Sequence, residues 1–239
     1  MTDIIKNIID KFELGYVFTV CDFPMTVENP KTVSKILNHF VTTGYLRKLS
    51  KGRFYKPQMS RFGELPPDTY QIVKDLIQKD GKLIGYITGY SAFNDFALTT
   101  QISAILEIGM RKEKKATVRG IYRIRFIRQD NTITKENIPL LRLLDCLRLF
   151  KNIPDTTPDN ACRRLIYLIG KLDEQELCRI KKLALKYTPQ AIALLGAILD
   201  IIKPQEDTNL LFKKLNPITV YKLEISDKIL PTQKKWNIQ

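Results

Sequence analysis

Apolar residues recur at helical spacing at Ile4, Ile5, Ile8, Ile9 and Phe12, which predicts a first helix ending near Gly15. Tyr16 to Val20 follows as a short β-type run, and Asp22, Phe23 and Pro24 read as a turn. Asn29-Pro30 marks a second helix start, because Asn accepts from the orphan amides at the N-cap and Pro is tolerated in the first turn. That helix is expected to run to about Thr43 and to stop at Gly44. Val33, Ile36, Leu37, Phe40 and Val41 form its apolar stripe, while Lys31, Thr32, Lys35, Asn38, His39 and Thr42 lie off it. Tyr45 to Leu49 and Arg53 to Lys56 then flank Ser50-Lys51-Gly52 as a hairpin with Gly in its turn.

Beyond residue 63 the pattern changes. Leu65-Pro66-Pro67 reads as a linker, and Asp68 to Lys79 as a helix with Tyr70, Val73, Leu76 and Ile77 on its apolar side, closed by Gly81. Gly85 to Phe93 leads into another short helix; it lacks the Gly-Lys-Ser/Thr of a phosphate-binding loop. Ile102 to Ile108 and Ala116 to Arg128 read as strands joined by a basic loop. In the second of these, Tyr122, Ile124 and Phe126 share one face while Arg119, Arg123 and Arg125 are expected on the other, exposed face. After Pro139 the chain turns helical, with helices over 140–150, 158–171, 174–187 and 189–202 and a short one over 209–215. Their starts are explicit at Thr157-Pro158, the capping box Asp173-x-x-Glu176, and Thr188-Pro189. The expected fold class is α+β: an N-terminal winged helix-turn-helix over residues 1–63, then a mixed α/β domain over 64–239 that ends in a helical bundle.

Charge sharpens this reading. The 239 residues carry 39 Lys and Arg against 25 Asp and Glu, a formal charge of +14, and two short stretches hold all of it. Asn29 to Phe62 has eight basic residues and no acid; Gly109 to Arg128 has eight against Glu113 alone. Charge concentrated in this way points to a polyanionic partner, with nucleic acid foremost and a basic surface kept for solubility as the alternative. In the winged-helix reading Lys31, Thr32, Lys35, Asn38 and His39 face a DNA major groove, and Arg47, Lys48, Lys51 and Arg53 serve the backbone from the hairpin. Lys31, Lys35, Arg47, Lys48, Lys51 and Arg53 would supply about six contacts. Lys112, Lys114, Lys115, Arg119, Arg123 and Arg125 form a second candidate patch, either a polyanion platform or a solvated face.

Candidate chemistry of other kinds is sparse. A single histidine, His39, excludes multi-histidine metal sites, and Cys21, Cys146, Cys162 and Cys178 lack zinc-ligand spacing. The cysteines read as reduced, mostly buried thiols of a cytoplasmic protein, with those at 146, 162 and 178 as core residues. Neither a signal peptide nor a membrane-spanning stretch stands out. Since no hydrolase, metalloprotease or paired-carboxylate motif stands out either, the expectation is a protein without enzymatic activity, cofactor or metal.

Gly15-Tyr16-Val17-Phe18-Thr19, the helix from Val33 to Tyr45 and Leu49-x-x-Gly52-x-Phe54-Tyr55 together resemble the winged-helix domain of AbiEi-type antitoxins and their regulator relatives. Thr88-Gly89-Tyr90-Ser91-Ala92 is similar to the start of that family's C-terminal domain. The ending Leu215-Asn216-Pro217, Tyr221-Lys222-Leu223, Leu230-Pro231 and Trp236-Asn237-Ile238 is similar to one branch of it. The resemblance implies a type IV toxin–antitoxin role. The winged helix would bind operator inverted repeats in double-stranded DNA and repress its own operon. The C-terminal domain would counteract a nucleotidyltransferase-like toxin without a stable complex. Two other functions stay open: an antitoxin acting by direct protein contact, and a nucleic-acid-modifying enzyme.

Overall fold

The first helical pattern folds as α1 (Thr2–Asp10), burying Ile5 and Ile9 as the spacing dictates. The computed structural model describes residues 2–24, 29–112 and 114–239, so Glu113 lies outside the described residues. The architecture is mixed α+β, with small sheets among many helices. The chain divides into two compact units. One is Met1–Leu76 with Ala116–Ile124, the other Ile77–Lys115 with Arg125–Gln239.

In the first unit α1 is followed by β1 (Val17–Phe18), a 3-10 turn at Val20–Asp22 and α2 (Pro30–Thr42). Next come β2 (Arg47–Ser50) and β3 (Arg53–Tyr55), and β3 lies between β1 and β2 in an antiparallel sheet. Ile5, Ile9, Phe18, Leu37, Leu46 and Phe54 form its core. A second hairpin, β4 (Gln58–Ser60) with β5 (Gly63–Leu65), precedes α3 (Thr69–Ile77). The first unit thus runs past residue 63, where its end was expected. It also takes in β10 (Thr117–Arg119) and the start of β11 (Tyr122–Arg128), for reasons that the ion pairs below supply.

Two further expectations are corrected. The helix expected to Lys79 ends at Ile77, and Gln78–Lys79 (β6) pairs with Lys82–Leu83 (β7) in a tight hairpin. Both turn residues, Asp80 and Gly81, have positive φ, the geometry that an Asp-Gly pair favours. Ala116 to Arg128 is also not one strand. It breaks at Gly120-Ile121, so Arg119 stands opposite Tyr122 instead of following the alternation of Arg123 and Arg125.

In the second unit β8 (Gly85–Thr88) leads through Gly89 into α4 (Tyr90–Asp95), and β9 (Ile105–Met110) lies between β8 and β11. A β-carbon at Gly89 would run into the Glu107 carboxylate, which occupies the space beside the start of α4. The remaining helices are α5 (Ile138–Arg148), α6 (Pro158–Gly170), α7 (Glu174–Ala184), α8 (Pro189–Ile202) and α9 (Asn209–Phe212). The capping box at Asp173 and Glu176 forms with both hydrogen bonds in place. Nine consecutive residues of α8, Ala191–Leu199, are buried, and the tail closes over them. Trp236 packs against Gly196, and its Nε1 donates to Asp200, 2.8 Å away. Cys146 and Cys162 are buried as expected, but Cys178 and Cys21 are exposed, since Cys178 falls on the outward side of α7.

One polar cluster sits inside this apolar unit. Asp145 on α5 is 1% exposed and accepts from the hydroxyls of Tyr86 (2.7 Å), Thr88 (2.8 Å) and Tyr187 (3.1 Å). Gln129 bridges the two tyrosines, donating to Tyr86 at 2.9 Å and Tyr187 at 2.7 Å. Burial pushes the Asp145 carboxyl up to about 6, against the three hydroxyl donors that favour its charge. A carboxyl that holds its proton more tightly folded than unfolded stabilises the fold below the unfolded value, 3.8, and loses that contribution as pH rises through about 6. The shift of about two units corresponds to about 3 kcal/mol. Urea unfolding of the wild type and Asp145→Asn between about pH 4 and 7 should therefore show their stability difference drifting against the wild type by roughly that amount. A difference that stays constant with pH would refute the assignment.

Candidate nucleic-acid interface

Local chemistry fixes α2. Asn29 Oδ1 accepts from the Lys31 amide at 2.9 Å, Pro30 opens the first turn, and Gly44, with φ +80°, follows the C-cap at Thr43. Val33, Leu37 and Phe40 are buried, which leaves Lys31, Lys35, Asn38 and His39 exposed and Thr32 half-buried at the margin. The polar face expected of this helix therefore exists. Asn38 is less free than its sequence suggests: its Nδ2 donates to the Ser34 carbonyl at 2.7 Å, and its Oδ1 accepts from Lys48 Nζ at 3.3 Å.

The β2–β3 hairpin turns at Lys51-Gly52, where Gly52 adopts φ +71° and Lys51 is exposed. Its arginines are engaged with the fold. Arg47 Nε lies 2.8 Å from Glu64 and its Nη1 donates to the Gly44 carbonyl at 2.9 Å; Arg53 Nη2 lies 2.6 Å from Asp75. Lys56 Nζ donates to the Asp10 carbonyl at the end of α1, 3.2 Å away, complementing the helix dipole. Lys31, Lys35 and Lys51 form no ion pair among the described residues.

The second patch does not hold together as expected. Arg119 is 4% exposed: Nη1 donates to the Ile72 carbonyl (2.6 Å) and to Asp75 (2.5 Å), and Nη2 to Asp75 (2.9 Å). This is a correction with a clear cause, since the turn at Gly120 reverses the strand and leaves Arg119 facing α3. Arg123 and Arg125 are exposed, with Arg123 in the first unit and Arg125 in the second, where it faces the half-buried Glu107. Lys112, Lys114 and Lys115 are exposed on the link after β9, and Lys112 and Lys114 line a recess of the second unit. Sequence reasoning counted Arg111 in the basic loop but not in the patch, and it missed Lys79. It also missed Asp75, an acid that lies beyond the acid-free stretch and so gave no signal.

Residues 4–143 match the family of unknown function DUF6088. The chain belongs to that family. The DUF6088 match spans the whole of α2, the β2–β3 and β4–β5 hairpins and the strands that follow them, and ends within α5. Comparison with curated proteins finds no match. Among solved structures the chain is similar to the RV2827C protein from Mycobacterium tuberculosis, with a TM-score of 0.58 and 11% sequence identity. The likeness covers 93% of this chain and 84% of that one. At this identity it speaks to the fold alone. Among the described residues no helix is long and apolar enough to cross a membrane, and no group of three or more His, Cys, Asp or Glu side chains is placed to hold a metal ion.

The two arginines of the β10–β11 hairpin should behave differently. Arg119→Ala leaves the Ile72 carbonyl and one side of Asp75 without a donor, and because Asp75 is 40% exposed the loss should be about 2 kcal/mol, below the full value for a buried pair. Arg123→Ala, on an exposed strand position, should stay within about 0.5 kcal/mol. Urea unfolding of both variants checks this, and equal stabilities would remove Arg119 from its anchoring role.

Proposed function

We propose that this chain binds double-stranded operator DNA through an N-terminal winged helix and acts as the antitoxin of a type IV toxin–antitoxin pair. In this reading it represses its own operon and counteracts a nucleotidyltransferase-like toxin without a stable complex, and it carries out no reaction itself. The observation that supports DNA binding most is α2: a helix about 20 Å long that buries one stripe and exposes Lys31, Lys35 and His39 beside Thr32. Such a helix can enter a major groove, offering short polar groups to base edges and lysines to phosphates. The order helix, strand, helix, antiparallel hairpin fits a recognition helix followed by a wing whose tip is Lys51. The antitoxin half is supported by the resemblance carried by Thr88–Ala92 and by the ending from Leu215 to Ile238.

The ion pairs refine the contact set. With Arg47 and Arg53 held by Glu64 and Asp75, four lysines remain as phosphate donors: Lys31, Lys35, Lys48 and Lys51. A mobility shift on the DNA upstream of its own gene should therefore give a log–log salt slope of about −4, shallower than six contacts would produce. Lys48→Ala and Lys51→Ala should each flatten it by about one and weaken operator and random DNA alike. Thr32→Val or His39→Ala should instead reduce the preference for operator by about 1–3 kcal/mol. Salt-insensitive binding, or no preference for the upstream region, overturns the reading.

A further inference from the structure

We propose that the basic recess of the second unit is a binding site for a nucleoside polyphosphate. The proposal does not rest on the DNA-binding reading. The recess has a volume of about 480 Å3 and is built by three chain segments. The β6–β7 hairpin and the residue after it give Lys79, Leu83 and Ile84. The end of β9 and the link beyond it give Met110, Arg111, Lys112 and Lys114. The segment after β11 gives Asn131, Thr132 and Ile133.

Charge count selects the ligand. Lys79, Arg111, Lys112 and Lys114 are exposed around one recess, no described lining residue is acidic, and none of the four forms an ion pair among the described residues. Four cations at one opening, with no ion pair among the described residues, match a di- or triphosphate, whereas a monocarboxylate would leave most of them repelling one another. Size and lining select the rest. The volume is that of a small-ligand site and too small for a duplex. Leu83, Ile84, Met110 and Ile133 give it an apolar lining on which the flat face of a base loses water at little polar cost. Thr132 offers a hydroxyl for a base or ribose edge. The wall behind is firmly held: Asn131 Nδ2 donates to the Leu183 carbonyl at 3.0 Å, and the Asn131 amide to Gln129 at 2.9 Å, which ties it to the Asp145 cluster. A preformed wall reduces the ordering that binding would otherwise require. The recess beside Phe150 and Lys222 is the weaker candidate, being smaller at about 320 Å3 and carrying Glu224 beside its two lysines.

The polyphosphate could be a free nucleotide or the 5′ end of an RNA, and titration calorimetry on the full chain separates the two. The probes are ATP, adenosine, inorganic triphosphate, and a ten-nucleotide RNA bearing either a 5′-triphosphate or a 5′-hydroxyl. ATP should bind at least tenfold more tightly than adenosine or inorganic triphosphate. Lys112→Ala/Lys114→Ala should weaken ATP at least tenfold. Ile133→Asn should weaken ATP more than inorganic triphosphate, because it alters the apolar lining without adding charge. A 5′-triphosphorylated RNA that outcompetes ATP supports the same site and assigns its ligand to an RNA end. RNA binding that ignores the 5′ group overturns the proposal, as does inorganic triphosphate binding as well as ATP, or no ATP binding up to about 1 mM. The double lysine variant should keep its unfolding curve and its DNA mobility shift. Loss of ATP and DNA binding together, with the fold intact, would mean that the recess is part of a DNA contact and would also overturn the proposal.

Discussion

A single carboxylate organises the first unit. Asp75, near the end of α3, accepts from both Arg119 and Arg53, so one side chain ties the hairpin at 117–124 and the β2–β3 hairpin to the same helix. Burial alone would raise its carboxyl, but hydrogen bonds from Arg119 and then Arg53 outweigh that and hold it below the usual carboxylate range. Arg119 adds a bond to the Ile72 carbonyl, and the Gly120 amide donates to the Leu49 carbonyl at 2.9 Å. These bonds account for a unit assembled from two stretches of sequence that 39 residues separate. They also withdraw Arg53 from the surface set that a charge count assigns to a partner.

The second unit solves the opposite problem, since its buried acid forms no ion pair among the described residues and is held by hydroxyls, with Arg148 acting on it only through its charge. Asp145 is matched by three hydroxyls, and Gln129 holds two of those hydroxyls in place. Neutral donors satisfy its oxygens without restoring the solvation that a full charge loses on burial, which is why its carboxyl rises. Tyr86 and Tyr187 rise as well, through burial and then the nearby Asp145, so neither phenol surrenders its proton to the cluster. The cluster joins β8, α5, the segment after β11 and the turn between α7 and α8, and it gives an apolar core a fixed register. The recess wall at Asn131 inherits that rigidity.

Local signals were legible and long-range ones were not. The start of α2 at Asn29-Pro30, its apolar stripe, the hairpin around Gly52 and the helices of 138–202 could all be read, because caps, periodicity and turn glycines act within a few residues. The hairpin at Asp80-Gly81 could have been read as well, since Asp-Gly is a strong turn pair; the apolar run of α3 pulled the reading of a helix too far. Alternation placed Arg123 and Arg125 correctly outward, but it misplaced Arg119, because one turn between residues 119 and 122 resets the faces. The candidate site was half legible. Exposed cations on α2 followed from helical spacing, whereas the pairing of Arg47 and Arg53 depends on Glu64 and Asp75, which lie outside the acid-free stretch that drew attention to them. No spacing rule joins Lys79 to Arg111, Lys112 and Lys114, since only folding brings the Asp-Gly hairpin beside the end of β9.

Net charge is thus a poor guide to which cations meet a partner, and the side chain's own chemistry says more. In the first unit the arginines at 47, 53 and 119 are tied to carboxylates, while the lysines at 31, 35 and 51 have no ion pair among the described residues. The division follows from the groups themselves. A planar guanidinium holds a carboxylate and a backbone carbonyl at once, as Arg119 does, and is less strongly hydrated than an ammonium, so it suits the half-buried joints of a scaffold. An ammonium on a flexible stem keeps its water and stays at the surface as a mobile point charge. A groove-facing helix whose cations are lysines gains affinity and register from them but little base discrimination, because a point charge follows the phosphates without distinguishing the edges between them. In the proposed DNA-binding reading, any selectivity of α2 would therefore come from its short polar groups. Asn38 is already committed to Ser34 and Lys48, so that reading assigns sequence preference to Thr32 and His39.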